Sequence, residues 1–211
     1  MTKLLMDTVK RIARETSDVY AEHDSRMAAL LTQINQSERR IPAGERAPDF
    51  LLPNTQGKLV NLASLMGENG LIILFMRGLW CPYCNAQLTA FRENRKAILE
   101  KGLNVVIITP EVNGRAAETK TALDLPFEVL CDADSITCLE YGCLFRIPNI
   151  DQDFFRSLDI DLGQYYGNDA WFLPLATTFL IGPDHIVKQS FSENDQRWRT
   201  GPEVVLDSFG V

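Results

Sequence analysis

The sequence predicts an α/β protein in which helices flank a mixed central sheet, on the evidence of two apolar runs and a late hairpin. Residues 71–76 are all apolar, a run too short for a membrane span and typical of a buried parallel strand. A second such run lies at residues 104–109, and a helical pattern separates the two. A predicted hairpin over residues 177–191 follows, so the sheet should combine parallel and antiparallel strands.

The N-terminal residues 3–36 predict a helical extension. Its apolar residues recur at a helical period with charges between them, and they are Leu5, Val9, Ile12, Val19, Met27, Leu30, Leu31 and Ile34. One long helix, or two helices broken near residues 24–25, fits this pattern. The apolar stripe is equally consistent with a dimerisation arm and with a helix packed on its own domain. His23 interrupts the stripe, and we interpret it as structural or solvated.

Turn residues divide the rest of the chain. A polar stretch with glycine and proline at residues 42–48 predicts the boundary between the extension, 1–41, and the main domain, 42–211. Within that domain, glycine and proline mark the ends of helices and the tips of hairpins. The predicted elements are a hairpin over 49–62, a helix over 63–66, the strand at 71–76, a helix over 82–101, the strand at 104–109, a helix over 114–123, a strand over 127–130, a helix over 132–144, an insertion without clear period over 145–172, the hairpin over 177–191 and a terminal helix over 202–209.

Composition and charge exclude several classes of function. The chain has 211 residues, 45% of them hydrophobic, which suits one domain with an ample core plus an appendage. Its formal net charge of −7 argues against nucleic acid or an anionic membrane surface as the main partner. No apolar run approaches the roughly 18 residues of a membrane-spanning helix, and the N-terminus becomes charged too early for a secretory signal. We therefore expect a cytoplasmic protein.

The most informative stretch is Cys81-Pro82-Tyr83-Cys84, which lies between the first buried strand and the next helix. Pro82 suits the first turn of a helix, which places Cys81 at the N-cap and Cys84 one turn inside. A sulfur at the cap faces free amides and the positive end of the helix dipole, so its thiolate is favoured. Arg77 could add a positive charge. A thiolate with a second cysteine close by predicts redox chemistry through a disulfide.

Other interpretations of the cysteines are half of a zinc site or buried structural thiols. A tetrahedral zinc site needs two further ligands, and no second close pair of ligand spacing is present, so we expect no metal. The remaining cysteines, Cys131, Cys138 and Cys143, are interpreted as structural thiols, and the spacing of the last two is poor for one helix face. Glu111 follows the second buried strand and is a candidate proton acceptor. Residues 192–199 are interpreted as a solvated loop.

Taken together, these motifs resemble the peroxiredoxin-like branch of the alkyl hydroperoxide reductase and thiol-specific antioxidant family, within the thioredoxin fold. The resemblance covers the chain from about residue 44 to the end and leaves the N-terminal helix outside the shared core. The matching segments are residues 44–50, 57–62, 75–85, 127–134, 140–142 and 178–181. The resemblance implies a thioredoxin-like, peroxiredoxin-type mixed sheet with an N-terminal helical extension, and an active site at the Cys-Pro-Tyr-Cys motif.

Two overlays on the family patterns disagree about which sulfur attacks. The peroxiredoxin pattern Pro-x-x-x-Thr-x-x-Cys places Arg77 at the Pro, Cys81 at the Thr and Cys84 at the attacking cysteine. The thioredoxin pattern Trp-Cys-x-x-Cys instead makes Cys81 the attacking residue, and the capping argument favours this choice. Ala176 stands where thioredoxins have a cis-proline and many peroxiredoxins an arginine, and this departure reduces the expected rate of peroxide turnover.

The resemblance implies a thiol peroxidase that reduces hydrogen peroxide or organic hydroperoxides and needs no cofactor. Cys81 and Cys84 would form a sulfenic acid and then a disulfide, with thioredoxin, glutaredoxin or glutathione as reductant. Arg77 would stabilise the thiolate or bind peroxide oxygens, and Trp80 would gate the thiol, form a docking surface or simply pack. The alternatives are a thiol–disulfide oxidoreductase and a redox-responsive binding module whose N-terminal helix changes association. A homodimer is possible.

Overall fold

The structure, a computed structural model, describes residues 3–15 and 18–209. The helices are α1 (Lys3–Glu15), α2 (Asp18–Gln33), α3 (Leu62–Leu65), α4 (Pro82–Glu93), α5 (Arg95–Glu100), α6 (Arg115–Ala122), α7 (Ile136–Glu140), α8 (Asn149–Ser157), α9 (Leu162–Tyr166) and α10 (Pro202–Ser208), with a 3-10 turn at Gln36–Arg39. The strands are β1 (Leu51–Pro53), β2 (Leu59–Asn61), β3 (Gly70–Phe75), β4 (Leu103–Thr109), β5 (Glu128–Cys131), β6 (Leu144–Arg146), β7 (Phe172–Pro174), β8 (Thr177–Ile181) and β9 (Val187–Ser192).

Within these residues the main sheet has the strand order β5-β4-β3-β8-β9. Strand β3 lies at its centre, parallel to β4 and antiparallel to β8, so that Ile73 is opposite Val106 on one side and Phe179 on the other. Strand β5 is parallel to β4, and β9 is antiparallel to β8. All six residues of β3 are buried, as expected for a strand covered on both faces. The predicted mixed sheet is confirmed.

The two faces of β3 contribute to different parts of the core because successive side chains on a strand point in opposite directions. Ile72 and Leu74 pack in a cluster with Leu88 and Phe91 of α4. The alternate residues of β3 pack in a second cluster on the other face, together with Tyr141. A third apolar cluster joins α2 to the segment between β6 and β8. Helix α4, and with it the cysteine motif, is therefore fixed against the middle of the sheet.

The N-terminal extension forms two helices, and the predicted break near residues 24–25 is wrong because α2 continues through them. Asp24 is fully buried and accepts hydrogen bonds from other elements, while the Ser25 hydroxyl donates to the carbonyl of Ala21 within the helix at 2.9 Å. The apolar stripe packs on its own chain. Leu5 and Val9 lie in the cluster with α4, and Met27 and Leu31 lie in the third cluster. The side chain of Val19 lies outside the described residues.

The segment predicted to be an insertion without clear period is ordered. Its ends form the β6–β7 hairpin, and α8 and α9 lie between the two strands. The helix predicted over 132–144 is also wrong in extent, because only α7 is helical and Gly142 follows it at a φ of +71°. A Cβ on Gly142 would lie 2.0 Å from the carbonyl oxygen of Arg39, so this turn requires glycine. The helix predicted over 82–101 is interrupted at Asn94.

Candidate active site

The cysteine motif lies at the start of α4, as predicted. Cys81 is the N-cap with extended backbone angles, Pro82 is the first helical residue, and Cys84 lies in the first turn. Both cysteines are free thiols and almost completely buried, with exposures of 2% and 1%. The sulfur of Cys81 accepts no capping hydrogen bond from the helix amides. The contact expected to ionise Cys81 is therefore missing.

The structure assigns the lower pKa to Cys84 rather than to Cys81. Burial alone raises the pKa of Cys84, but the hydrogen bond from Cys81, the positive charges of Arg199 and Arg77 and the backbone amide of Arg77 lower it to about 5. Burial, the contact with Cys84 and the negative charge there raise the pKa of Cys81 well above its usual value. The predicted Cys81 thiolate is thus a correction: the capping site does not supply the charge stabilisation, whereas the arginines supply it to Cys84.

Arg77 lies beside the cysteines and is 2% exposed. Its Nε donates to the carbonyl of Pro174 at 3.0 Å and its Nη1 donates to Oε1 of Gln196. The Tyr166 hydroxyl donates to the backbone carbonyl of Arg77 at 2.8 Å. Among the described residues, Nη2 of Arg77 has no hydrogen-bond partner. A buried guanidinium with a free N–H near a thiolate can receive a polar oxygen of a substrate.

Sequence reasoning missed Arg199. The segment 192–199 was expected to be a solvated loop, yet Arg199 is 4% exposed and Gln196 is 8% exposed. Nη1 of Arg199 donates to the carbonyl of Trp198 at 3.1 Å, and its Nε and Nη2 have no partner among the described side chains and backbone. Arg199 also lines a surface cavity of about 490 Å³ together with exposed Trp198. No local signal identifies this arginine, because it reaches the site only through the return of β9 and the loop that follows.

Glu111 lies after β4 and holds the loop before the cysteines. Its Oε1 accepts the backbone N–H of Leu79 at 3.2 Å and its Oε2 accepts the hydroxyl of Thr119 at 2.8 Å. Burial, with the nearby charge of Cys84, raises the pKa of Glu111. Gly78 has a φ of +147°, and a Cβ there would lie 2.5 Å from the Glu111 carboxylate. Glycine is therefore required for this close approach.

Trp80 forms part of the wall between the site and the segment of α8 and α9. Its ring lies edge-on to Phe155, with centroids 6.1 Å apart, and 6.2 Å from the ring of Tyr165. It is half-buried, packs against two of the apolar clusters and its buried Nε1 has no partner among the described residues. These contacts give Trp80 a packing role beside the motif.

The other three cysteines lie apart from this constellation. The sulfurs of Cys138 and Cys143 are 3.5 Å apart, because α7 ends between them and the chain turns back. Burial raises the pKa of Cys138 and that of Cys131, and Cys131 donates to the carbonyl of Glu111 at 2.9 Å. Over residues 3–15 and 18–209, no cluster of three or more His, Cys, Asp or Glu side chains is arranged to hold a metal ion. In that same part of the chain, no helix is long and apolar enough to cross a membrane.

The predicted site residues Arg77, Trp80, Cys81 and Cys84 thus occupy one region at the carboxyl end of β3. Parallel strands β3, β4 and β5, antiparallel β8 and β9, and two cysteines at the start of the helix after β3 define a thioredoxin-like thiol protein. The family model "AhpC/TSA family" matches residues 43–190, and the chain belongs to this family.

Known relatives and solved structures agree with this assignment. Peroxiredoxin Bcp of Escherichia coli K12 is 31% identical over 105 residues, a match covering 48% of this chain and 65% of the relative. A Mycobacterium tuberculosis relative is 34% identical over 103 residues, again with 65% of its length covered. The match therefore spans just under two thirds of these relatives.

Two solved structures share the fold. Peroxidoxin BcpB from Mycobacterium tuberculosis superposes with a TM-score of 0.63 at 18% identity, covering 80% of this chain and 96% of that chain. Peroxiredoxin Q of Xanthomonas campestris superposes with a TM-score of 0.60 at 16% identity, covering 79% of this chain and 96% of that chain. The fold is thioredoxin-like and peroxiredoxin-type, as the sequence predicted.

Proposed function

We propose that this protein is a thiol-dependent peroxidase in which Cys84 attacks the peroxide and Cys81 resolves the product. The observation that carries the proposal is a buried thiolate beside two buried arginines that keep unpartnered N–H groups. Thiolate is the nucleophilic form of cysteine, and the arginine donors suit the oxygens of a hydroperoxide. Membership of the AhpC/TSA family and the similarity to peroxiredoxins support the same assignment.

In the first step, the Cys84 thiolate attacks the terminal oxygen of the hydroperoxide. An S–O bond forms, the O–O bond breaks, and the leaving hydroxide or alkoxide takes a proton from solvent, which leaves Cys84 as a sulfenic acid. Negative charge moves during this step from the sulfur to the leaving oxygen. Arg77 and Arg199 can donate to both positions, so they stabilise the charge where it develops.

In the second step, the sulfur of Cys81 attacks the sulfenic sulfur of Cys84. The S–S bond forms, the S–OH bond breaks, and the hydroxide leaves as water with the proton of the Cys81 thiol. The hydrogen bond between the two sulfurs supports their direct condensation. An external dithiol then restores both thiols, and we propose thioredoxin as that reductant, with glutaredoxin or glutathione as alternatives. We further propose action in the cytoplasm, where such reductants keep thiols reduced.

The division of the chain belongs to the same proposal. We assign residues 42–211 to the redox domain and 1–41 to a helical extension, supported by the family match that begins at residue 43. A homodimer stays a proposal in which exposed surface other than the stripe would meet the partner, since Leu5, Val9, Met27 and Leu31 pack inside their own chain.

The proposal is tested by rapid mixing of reduced protein with hydrogen peroxide and with cumene hydroperoxide, followed by tryptophan fluorescence. Cys84→Ser should abolish oxidation. Cys81→Ser should still be oxidised once and should accumulate a sulfenic acid that a dimedone-type trap captures. If Cys84→Ser is trapped and Cys81→Ser is not, the assignment of the attacking sulfur is wrong. If wild-type protein is not oxidised faster than free cysteine, peroxidase function is wrong.

A thiol–disulfide oxidoreductase is the second candidate, and the Trp80-Cys81-Pro82-Tyr83-Cys84 arrangement at a helix start favours it. Thioredoxin-like proteins exchange disulfides from the same position of the fold. Rapid reduction of insulin disulfides together with slow oxidation by peroxide would support this function in place of the first.

A further inference from the structure

The N-terminal extension places a buried carboxylate beneath the cysteine motif. Asp24 of α2 is 0% exposed. Its Oδ2 accepts the hydroxyl of Tyr83, the residue before Cys84, at 3.1 Å. Its Oδ1 accepts a hydrogen bond from Nε2 of Gln196. Because a buried carboxylate is costly unless its lone pairs are satisfied, these contacts fix both side chains.

Gln196 connects Asp24 to the active-site arginine. An amide has one donating end and one accepting end, and Asp24 takes the donating end. The accepting end, Oε1, is thereby directed to Nη1 of Arg77. Asp24, Gln196 and Arg77 form a continuous hydrogen-bonded series from α2 to the guanidinium next to Cys84.

We propose that Asp24 is a positioning residue of the thiol site, which orients the Arg77 guanidinium toward Cys84 through the amide of Gln196. The biological meaning of this inference rests on the proposed function, whereas the orientation of Arg77 does not. Without Asp24 the amide of Gln196 is free to reverse, and its NH₂ end would then meet Arg77 as a second donor. The guanidinium would lose its partner and move away from the sulfur.

Docking of the extension alone does not account for Asp24. An apolar side chain at this buried position would join α2 to the domain at lower desolvation cost, as Met27 and Leu31 do nearby. A separate ion pair between Arg26 and Asp151 already ties α2 to α8. The other charged groups facing Asp24 are His23, whose Nδ1 lies 3.9 Å from Oδ1, and Arg197.

The test is a pH titration of thiolate absorbance near 240 nm in the reduced full-length protein, with Cys84→Ser as the blank. The variants are Asp24→Ala, Gln196→Leu, their double mutant and Asp24→Asn, which keeps an acceptor oxygen for Gln196. Asp151→Asn is the matched control, since it weakens the attachment of α2 without touching the series to Arg77. Circular dichroism and thermal unfolding establish that each variant is folded.

Asp24→Ala and Gln196→Leu should each raise the Cys84 midpoint by about one pH unit or more, and the double mutant should add nothing further. Asp24→Asn should restore the midpoint to that of the wild type, and Asp151→Asn should leave it unchanged. Midpoints that stay at the wild-type value in Asp24→Ala and Gln196→Leu overturn the proposal. Equal shifts in Asp24→Ala and Asp24→Asn also overturn it, because they would show an effect of charge and not of orientation.

Two cases keep the result decisive. If Asp24→Ala does not fold, Gln196→Leu against Asp24→Asn decides the question by the same criteria. If the midpoints shift as expected while wild-type protein shows no peroxidase activity, the positioning role stands and the proposed function fails.

Discussion

Cys81 donates a hydrogen bond to Cys84, and this contact divides the pair into a thiol and a thiolate. The two residues have nearly the same burial, so burial does not distinguish them. The difference comes from the donors and positive charges aimed at Cys84, namely the Cys81 thiol and the two arginines. The residue at the helix cap therefore assists the residue one turn later.

The first prediction concerns the pH dependence of peroxide oxidation. The pKa of Cys84 is lowered to about 5, so the rate should be constant near neutral pH, halve near pH 5 and fall about tenfold per unit at lower pH. Cys81→Ala removes the donor and should move the profile to higher pH, whereas Cys81→Ser keeps a donor and should move it less. Stopped-flow oxidation after a pH jump measures both profiles. A wild-type profile with its midpoint near 8 or 9 would contradict the assignment.

The second prediction concerns Arg199, whose positive charge lowers the pKa of Cys84. Arg199→Met should slow peroxide oxidation about 10- to 100-fold, the equivalent of one hydrogen bond to a charged group of roughly 1.5–3 kcal/mol. Arg199→Lys should recover part of the rate because it restores the charge without the planar fork. The control is Arg40→Met, because Arg40 lines the same surface cavity but bonds to Ser37 and Ser190. Equal losses in Arg199→Met and Arg40→Met would show that the cavity and not the site was disturbed.

The third prediction concerns the stability contributed by Glu111. Glu111→Ala leaves the amide of Leu79 and the hydroxyl of Thr119 without their buried acceptor, and should cost about 1–3 kcal/mol of unfolding free energy. Glu111→Gln keeps an acceptor and should cost less. Urea denaturation at one pH measures both, and an equal loss in the two variants would contradict the role of the hydrogen bonds.

The fourth prediction concerns the sign of the pH effect at Glu111. Burial raises its pKa in the folded protein, so folding disfavours the ionised form and stability falls as pH rises from the ordinary carboxyl range through the raised pKa. Glu111→Gln has no such ionisation and should lose less stability than the wild type between pH 4.5 and pH 7. Urea denaturation at the two pH values provides the measurement. A wild type that gains stability over this interval relative to Glu111→Gln would reverse the sign.

The fifth prediction concerns which cysteines are oxidised. One equivalent of peroxide should produce a disulfide between Cys81 and Cys84 and leave Cys138 and Cys143 as thiols, although their sulfurs are 3.5 Å apart. Burial raises the pKa of Cys138 and keeps it protonated. Alkylation under denaturing conditions followed by peptide mass spectrometry distinguishes the pairs. Loss of free Cys138 at the same rate as Cys84 would contradict this prediction.

Local patterns in the sequence determined the parts of the protein that depend on neighbouring residues. The apolar run at residues 71–76 is a buried strand, and Pro82 starts a helix with Cys81 at its cap, because strand burial and helix initiation are set within a few positions. The mixed sheet followed from the order of such elements. Residues 145–172 were harder, because α8 and α9 are short helices stabilised by packing against Trp80 and α2.

The tertiary structure alone decided which sulfur is the thiolate and which residues surround it. The pKa of a buried group depends on charges brought near it by the fold, and Arg199, Gln196 and Asp24 lie far from Cys84 along the chain. Arg199 and Gln196 were interpreted as a solvated loop, and Asp24 as a possible break in a helix, since each is polar and its neighbours in sequence do not reveal its burial. The sequence determined where the two cysteines lie, and the packing of distant elements determined how they differ.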